Sequence, residues 1–281
     1  MSKLSNAWRA FLERNFVRGK KPAALNQWQE AFCEWNAERL GLTLPESVGR
    51  FHKSWAALRG GHGARPFKLY CELNHDLLGV FAGNRENEIL GAYQAHAPLH
   101  FLRMLAYPVP EWPSHIPELA PLLSLPSPVI ADFGCGLAQT SISLATFLRD
   151  QGKNPELFLA DIPVPRNEFI QWLCRQRKLR TTFVECTDTQ PLPKFPPCDF
   201  LIATEVFEHI HSPLPALEGC TTAIRPGGFL LTNVADHDPE FLHVSTNLKA
   251  LRDHLQTREW REIRPNKLFQ KTMPSPGSDS R

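Results

Sequence analysis

The sequence predicts an α/β fold, a mostly parallel sheet wound on both faces, preceded by an α-helical N-terminal domain. Three observations predict it. Past residue 129 short apolar runs alternate with helical patterns. Before about residue 120 apolar residues recur only at helical spacing. Between the two lies the proline-rich stretch "YPVPEWPSHIPELAPLLSLPSP".

In the second half "PVIADFG", "ELFLAD", "TTFVEC", "CDFLIA" and "GGFLLTNV" read as five strands, with helices over "QTSISLATFLRDQG" and "NEFIQWLCRQRK". Strands that are apolar almost throughout have both faces covered, which is the mark of parallel sheets joined by helices. "REIRPNKLFQKT" carries two strand-like runs around Pro265 and Asn266 and predicts a terminal hairpin. "PSPGSDSR", residues 274–281, reads as a frayed tail.

In the first half "LSNAWRAFLERNFV", "AALNQWQEAFCEWNAERLG" and "PFKLYCELNHDLLGVFAG" predict helices, as in the spacing of Leu25, Trp28, Phe32 and Trp35. "NRENEILGAYQAHAPLHFLRMLA" continues the pattern until Pro98 bends or breaks it, between His96 and His100. The proline-rich stretch, residues 107–128, is the linker, which gives a helical domain over 1–120 and an α/β domain over 129–273. The helical domain is expected to serve as lid and substrate wall. Its Trp8, Trp28, Trp35 and Trp55 read mainly as core, and "RGGHGARP" reads first as a turn, with Arg59 and Arg65 as anion ligands the alternative.

Composition narrows the partners. A net charge of +2 with mixed signs argues for neither nucleic acid nor an anionic membrane. No apolar run approaches the roughly 20 residues that span a bilayer, and "MSKLSNAWRAF" lacks the apolar core of a signal peptide, so a cytoplasmic protein is expected. The seven cysteines include no CxxC pair and read as reduced core residues.

The chemistry gathers where strands end. "ADFGCGLAQTS" places Gly134 and Gly136 where the backbone turns tightly, and the small Ala138 lets the next helix approach the strand. That spacing alone fits a dinucleotide turn equally well. Asp132 separates the two readings, because a carboxylate there repels a pyrophosphate but pairs with a cationic amino acid group. A nicotinamide oxidoreductase is therefore disfavoured. Asp161 closes the second strand, where it can accept from ribose hydroxyls, and Asp188 in "TDTQPLP" stands where an acid can accept from an adenine amino group.

After the fourth strand comes "TEVFEHI". A helix starting at Thr204 would put Glu205, Glu208 and His209 on one face, for a metal, for acid/base chemistry or as a cap. "NVADHDPEFLH" after the fifth strand adds Asp236, His237, Asp238 and His243, of which His237 is the first choice as a further ligand and His243 the second. Without metal, His209, His211 or His237 is the candidate base, although His211 falls off the shared face.

The series "VIADFGCG", "LFLAD", "TDTQPLP", "CDFLIATEVFEHI" and "IRPGGFLLTN" resembles, in order and spacing, the class I S-adenosylmethionine-dependent methyltransferases over residues 129–272. The resemblance implies a Rossmann-like sheet of seven strands ending in an antiparallel hairpin. It places Asp132, Gly134 and Gly136 at the methionine end of S-adenosylmethionine, Asp161 and Ile162 at the ribose, Asp188 and Thr189 at the adenine, and Thr204 beside the donor. Glu205, Glu208 and His209 are similar to the "ExxEH" of ubiquinone-pathway O-methyltransferases and small-RNA 2′-O-methyltransferases. That likeness implies a Mg, Mn or Zn ion on Glu205, Glu208 and His209, to which His237 is added as the expected fourth ligand, and His209, His237 and Glu205 are the candidate catalytic residues. Methyl transfer to a hydroxyl oxygen of a small molecule is the expected function. An RNA or protein acceptor and a non-catalytic cofactor-binding scaffold are the alternatives.

Overall fold

The computed structural model describes residues 24–58, 101, 104–105, 116–164, 166–187, 190–237 and 243–273. The chain divides into two compact units, Met1–Leu77 and Leu78–Arg281, each described by itself.

In the first unit, α1 (Gln27–Leu40) and α2 (Leu44–Leu58) pack together. Asn26 starts α1 with a capping box: its side chain accepts from the Trp28 and Gln29 amides, and the Gln29 side chain accepts from the Asn26 amide. Gly41, in the left-handed conformation at φ 63, ends it. Thr43 and Glu46 repeat the reciprocal cap at α2, a helix the apolar spacing alone did not single out. Ser47 then donates to the Cys33 carbonyl, and Phe51 stacks on Trp55 inside the pair. The helices predicted over residues 4–17 and 66–83, and most of that over 84–106, lie outside the described residues.

The second unit is one seven-stranded sheet: β1 (Val129–Phe133), β2 (Glu156–Asp161), β3 (Arg180–Glu185), β4 (Cys198–Ala203), β5 (Ile224–Thr232), β6 (Trp260–Arg264) and β7 (Leu268–Lys271). Its order is β3-β2-β1-β4-β5-β7-β6, parallel except for the antiparallel β5–β7 and β6–β7 pairs. The five predicted strands and the terminal hairpin are all present. α3 (Gln139–Asp150) packs on β1 and β2, α4 (Arg166–Gln176) on β3, α5 (Pro213–Thr221) on β5, and α6 (Lys249–Leu255) on β6. Ile130, Ala131, Phe200, Leu201, Ile202 and Leu230 are buried, as strands covered on both faces require.

The proline-rich stretch is ordered over Pro117–Ser124 as a 3-10 helix. Leu119 and Leu122 bury its apolar side, and Glu118 forms a two-pronged ion pair with Arg264 at 2.7 and 2.9 Å. The six cysteines among the described residues are unpaired and buried. Among the described residues no helix is long and apolar enough to cross a membrane.

Strand order reverses between β1 and β4, and this fixes the address of the site. Asp132 pairs in register with Ile202, so the loops after β1 and β4 leave the sheet side by side. β5 lies next, with Thr232 opposite Ala203 and its hydroxyl donating to the Ala203 carbonyl at 2.9 Å. Ligands of such sheets bind at this reversal, beyond the carboxyl ends of the strands.

Candidate functional site at the β1–β4 reversal

The turn after β1 is held by its backbone. Gly134, Gly136 and Ala138 all take positive φ, at 63, 56 and 52. A β-carbon on Gly134 would lie 2.4 Å from a Val206 methyl, and one on Gly136 would lie 2.3 Å from the Met104 methyl. Conformation favours glycine at both positions, and at Gly134 the branched Val206 leaves no space for a side chain as well. Ala138 tolerates the left-handed region at a cost of about 1 kcal/mol, which a glycine would avoid.

Two buried carboxylates flank this turn. Asp132, 4% exposed, accepts from the Ser141 hydroxyl at 2.6 Å. Burial pushes its pKa up from 3.8 to about 7; the Ser141 hydrogen bond opposes the rise and the charge of Asp161 adds to it. Asp161 braces the turn. Its Oδ2 accepts from the Gly136 amide at 2.7 Å and the Arg166 guanidinium at 2.8 Å, while its Oδ1 accepts from the Ile162 amide at 2.8 Å. Arg166 is itself buried and also donates to the Gly136 carbonyl at 3.2 Å. Asp161 thus holds the loop in shape through one oxygen and keeps lone-pair capacity on Oδ1 for a further donor. The carboxylates match S-adenosylmethionine in kind, an acid for a cationic amine and an acceptor for a hydroxyl, while Val206 and Met104 occupy the space over the two glycines.

The segment after β4 departs from expectation. "TEVFEHI" is no α-helix: Glu205 is left-handed at φ 53, Val206 is neither helical nor extended at φ −131 and ψ −39, and only Phe207–His209 form a 3-10 turn. Ile210 is extended, and helix α5 begins only at Pro213. A proline disfavours helical geometry in the residue before it, so the helix starts at the proline and not at Thr204. Glu205, Glu208 and His209 therefore gather through a folded loop and not through helical periodicity.

The loop closes on a second strand end. Asn233, just past β5, donates to Glu205 Oε1 at 2.6 Å. The Glu208 carbonyl accepts from the Val244 and Ser245 amides at 2.8 and 3.0 Å, Ser245 donates to the Ile210 carbonyl, and the His237 amide donates to the Thr246 carbonyl. Segment 243–246 is thereby clamped between residues 208–210 and His237. Ring centroids of His209 and His237 each lie 5.1 Å from that of His243.

Within this arrangement ligand atoms of Glu208, His209 and His243 lie within 4.8 Å of one another, and so do those of Glu205, Glu208 and His237. Glu208 is fully buried, and neither of its carboxylate oxygens has a hydrogen-bond partner. His209 Nε2 lies 3.7 Å from Oε1. Burial first, opposed by the residue's own amide, then the Glu205 carboxylate, push the Glu208 pKa up to about 7. His237 Nε2 is likewise buried without a partner.

Other residues named from sequence sit elsewhere or beyond view. Thr204 is half-buried at the end of β4, beside the cluster. Asp236 pairs with Arg252 and accepts from the Leu248 amide, so it is committed to the start of α6. His211 is half-buried, with its Nε2 unpartnered. Asp188, Thr189 and Asp238 lie outside the described residues, as do Arg59, Arg65, His96 and His100.

Five contributors were missed in the sequence: Met104, Ser141, Arg166, Val206 and Asn233. Arg166 had one signal, a basic residue five positions after a strand-ending acid. Asn233 had another, the first residue past the strand beside Glu205. Nothing in the sequence pointed to Met104 or Val206 as covers of the glycine turn.

The family model described as "Methyltransferase domain" matches residues 104–274, more than half of the chain. Among curated proteins none matches the sequence significantly. Among solved structures the chain is similar to a magnesium protoporphyrin IX methyltransferase from Synechocystis PCC 6803 with bound SAH. The identity is 12%, over 67% of this chain and 100% of that one, with a TM-score of 0.50. It also matches an S-adenosylmethionine-dependent methyltransferase from Clostridium acetobutylicum ATCC 824 at 13% identity, over 51% of this chain and 58% of that one, with a TM-score of 0.39.

Proposed function

We propose, from the premise that the chain belongs to the methyltransferase-domain family and is an S-adenosylmethionine-dependent methyltransferase, that it methylates a hydroxyl oxygen of a small molecule with the help of a divalent cation. The observation that carries the second part is Glu208: a fully buried carboxylate with two unpartnered oxygens, beside imidazoles, at the end of the strand next to the donor turn. A carboxylate in that position is costly without a counter-charge.

S-adenosylmethionine supplies an electrophilic methyl group on a sulfonium. Asp132 is the partner for its ammonium, Gly134 and Gly136 shape the turn beside it, and Asp161 with Ile162 serves the ribose. Asp188 and Thr189 are assigned to the adenine and Thr204 to the donor side of the cleft. A divalent cation on Glu208 with Glu205 and His237, or on Glu208 with His209 and His243, would supply Lewis acidity to the acceptor hydroxyl. Glu205 is kept in place by Asn233. Whichever of His209 and His237 is not a ligand stands within reach as proton acceptor, since imidazole titrates near neutrality. Direct displacement needs alignment and exclusion of water more than covalent help, and residues 1–120 are assigned the role of substrate wall.

The test is a screen of hydroxylated small molecules with labelled donor, run beside metal analysis of the wild type, Glu205→Ala and His209→Ala. Label transferred to an oxygen, with metal content that drops in at least one variant, is the expected result. Label transferred only to RNA or protein overturns the acceptor assignment, and negligible metal in all three proteins overturns the cation.

A further inference from the structure

The two triplets of ligand atoms share one residue. Atoms that bind a single ion at about 2.0–2.4 Å lie no more than about 4.8 Å apart. The five candidate side chains meet that limit only as Glu208 with His209 and His243, and as Glu208 with Glu205 and His237. Two sets joined at one carboxylate are what two neighbouring ions require, because a carboxylate bridges a pair of ions through its two oxygens. Glu208 has both oxygens buried and unpartnered, and Oε1 is the one facing His209. The remaining members come from two parts of the chain, the loop after β4 and the segment after β5, which are hydrogen-bonded to each other. Glu205 is held by Asn233. His237 is held through its amide on Thr246, and His243 by the neighbouring Val244 and Ser245 amides on Glu208.

We infer that this is a two-ion centre bridged by Glu208, with one cation on His209 and His243 and the other on Glu205 and His237. The inference rests on the reading that the cluster takes a divalent cation at all. Three imidazoles among five ligands select a first-row transition ion such as Mn or Zn over Mg or Ca, whose preferred ligands are oxygens. In a pair of this kind the ions stand about 3.5–4 Å apart and clamp two oxygens together. Two divalent cations against two carboxylates leave two positive charges, and an acceptor bearing two adjacent oxygens, both ionised when bound, is the chemical class that balances them.

The experiment strips the full chain of metal, titrates it with Mn(II), and reads bound equivalents by elemental analysis and the spin signal by electron paramagnetic resonance. Two equivalents per chain and a broadened, exchange-coupled signal are expected. His243→Ala and His237→Ala should each bind one equivalent and show the sharp signal of an isolated ion, while binding S-adenosylmethionine as the wild type does, which certifies their fold. One equivalent in the wild type, lost in His237→Ala but kept in His243→Ala, overturns the pair and leaves the single-cation reading intact. A second equivalent that survives both changes, or that never couples to the first, also overturns it. No bound metal in the wild type sinks the single-cation reading and the pair together.

Discussion

The turn after β1 and the loop after β4 stand side by side at the sheet reversal, yet they satisfy their charges in opposite ways. Around the β1 turn the buried carboxylates are hydrogen-bonded: Asp161 to Arg166 and to two backbone amides, and Asp132 to Ser141. Beside it the buried Glu208 has no hydrogen-bond partner on either oxygen, and His237 Nε2 has none either. The first region is shaped before anything binds; the second holds a buried carboxylate that a proton or a cation must neutralise. The donor side should therefore respond to mutation through stability, and the acceptor side through the supply of ions.

The largest effect expected of this contrast comes from removing metal. Chelation should lower methyl transfer by about a thousandfold, which corresponds to several kcal/mol of Lewis-acid stabilisation. Calorimetric affinity for S-adenosylmethionine should move by no more than about twofold. Turnover unchanged by chelator would mean that Glu208 is an internally tolerated charge, and the contrast would fail on its acceptor side.

Arg166→Ala should show the reverse pattern. It leaves Asp161 buried beside the glycine turn without its guanidinium, and breaking one side of a buried pair costs about 3–5 kcal/mol. Denaturant unfolding should register that loss, donor affinity should fall with it, and metal equivalents should stay unchanged. An Arg166→Ala protein as stable as wild type would show that the turn does not depend on this brace.

How far the sequence exposed each region follows the same division. The donor turn is contiguous, so Asp132, Gly134, Gly136 and Asp161 could be read from a strand, a glycine pair and the next strand's final acid. Its brace was not readable, because Arg166 reaches back to Gly136 from the start of another helix. In the acceptor loop the residue types were visible but their geometry was not. Periodicity suggested a helical face at "TEVFEHI", whereas Glu205 is left-handed and the helix waits for Pro213. His243 ranked behind His237 for the same reason: its place is set by the Val244 and Ser245 amides on the Glu208 carbonyl, a long-range contact with no local signature.

Asp132 gives the contrast a pH dependence. Its carboxyl is raised from 3.8 to about 7 in the folded protein, so the folded state binds its proton more tightly than the unfolded chain. Stability from this group is complete below about pH 4, is lost as pH rises toward 7, and levels off above. Asp132→Asn should remove that decline, a difference of a few kcal/mol between variant and wild type at pH 7 in paired denaturation curves. Donor binding should run the other way. The ionised carboxylate is the one that pairs with an ammonium, so wild-type affinity should weaken as pH drops below 7 and the Asn variant should bind weakly throughout. Parallel stability curves for the two proteins would place the titration elsewhere.

The smallest expected difference lies at the seam between the two regions. Gly134 and Gly136 have nearly the same φ, so alanine at either pays a similar left-handed penalty of about 1 kcal/mol. Their neighbours differ. At Gly136 the obstacle is the end of Met104, a flexible chain that can swing aside, whereas at Gly134 it is the branched Val206, met at both a methyl and its β-carbon. Val206 also joins Glu205 to the Phe207–His209 turn, so displacing it moves the acceptor cluster. Gly136→Ala should weaken donor binding alone, while Gly134→Ala should cost about 1 kcal/mol more in stability and lower metal affinity as well. Val206→Ala in the Gly134→Ala background should recover only part of the metal affinity, since the β-carbon at 2.9 Å remains, and should leave the backbone penalty in place. Equal effects of the two glycine changes on metal binding would show that the turn and the cluster are adjacent without being coupled through Val206.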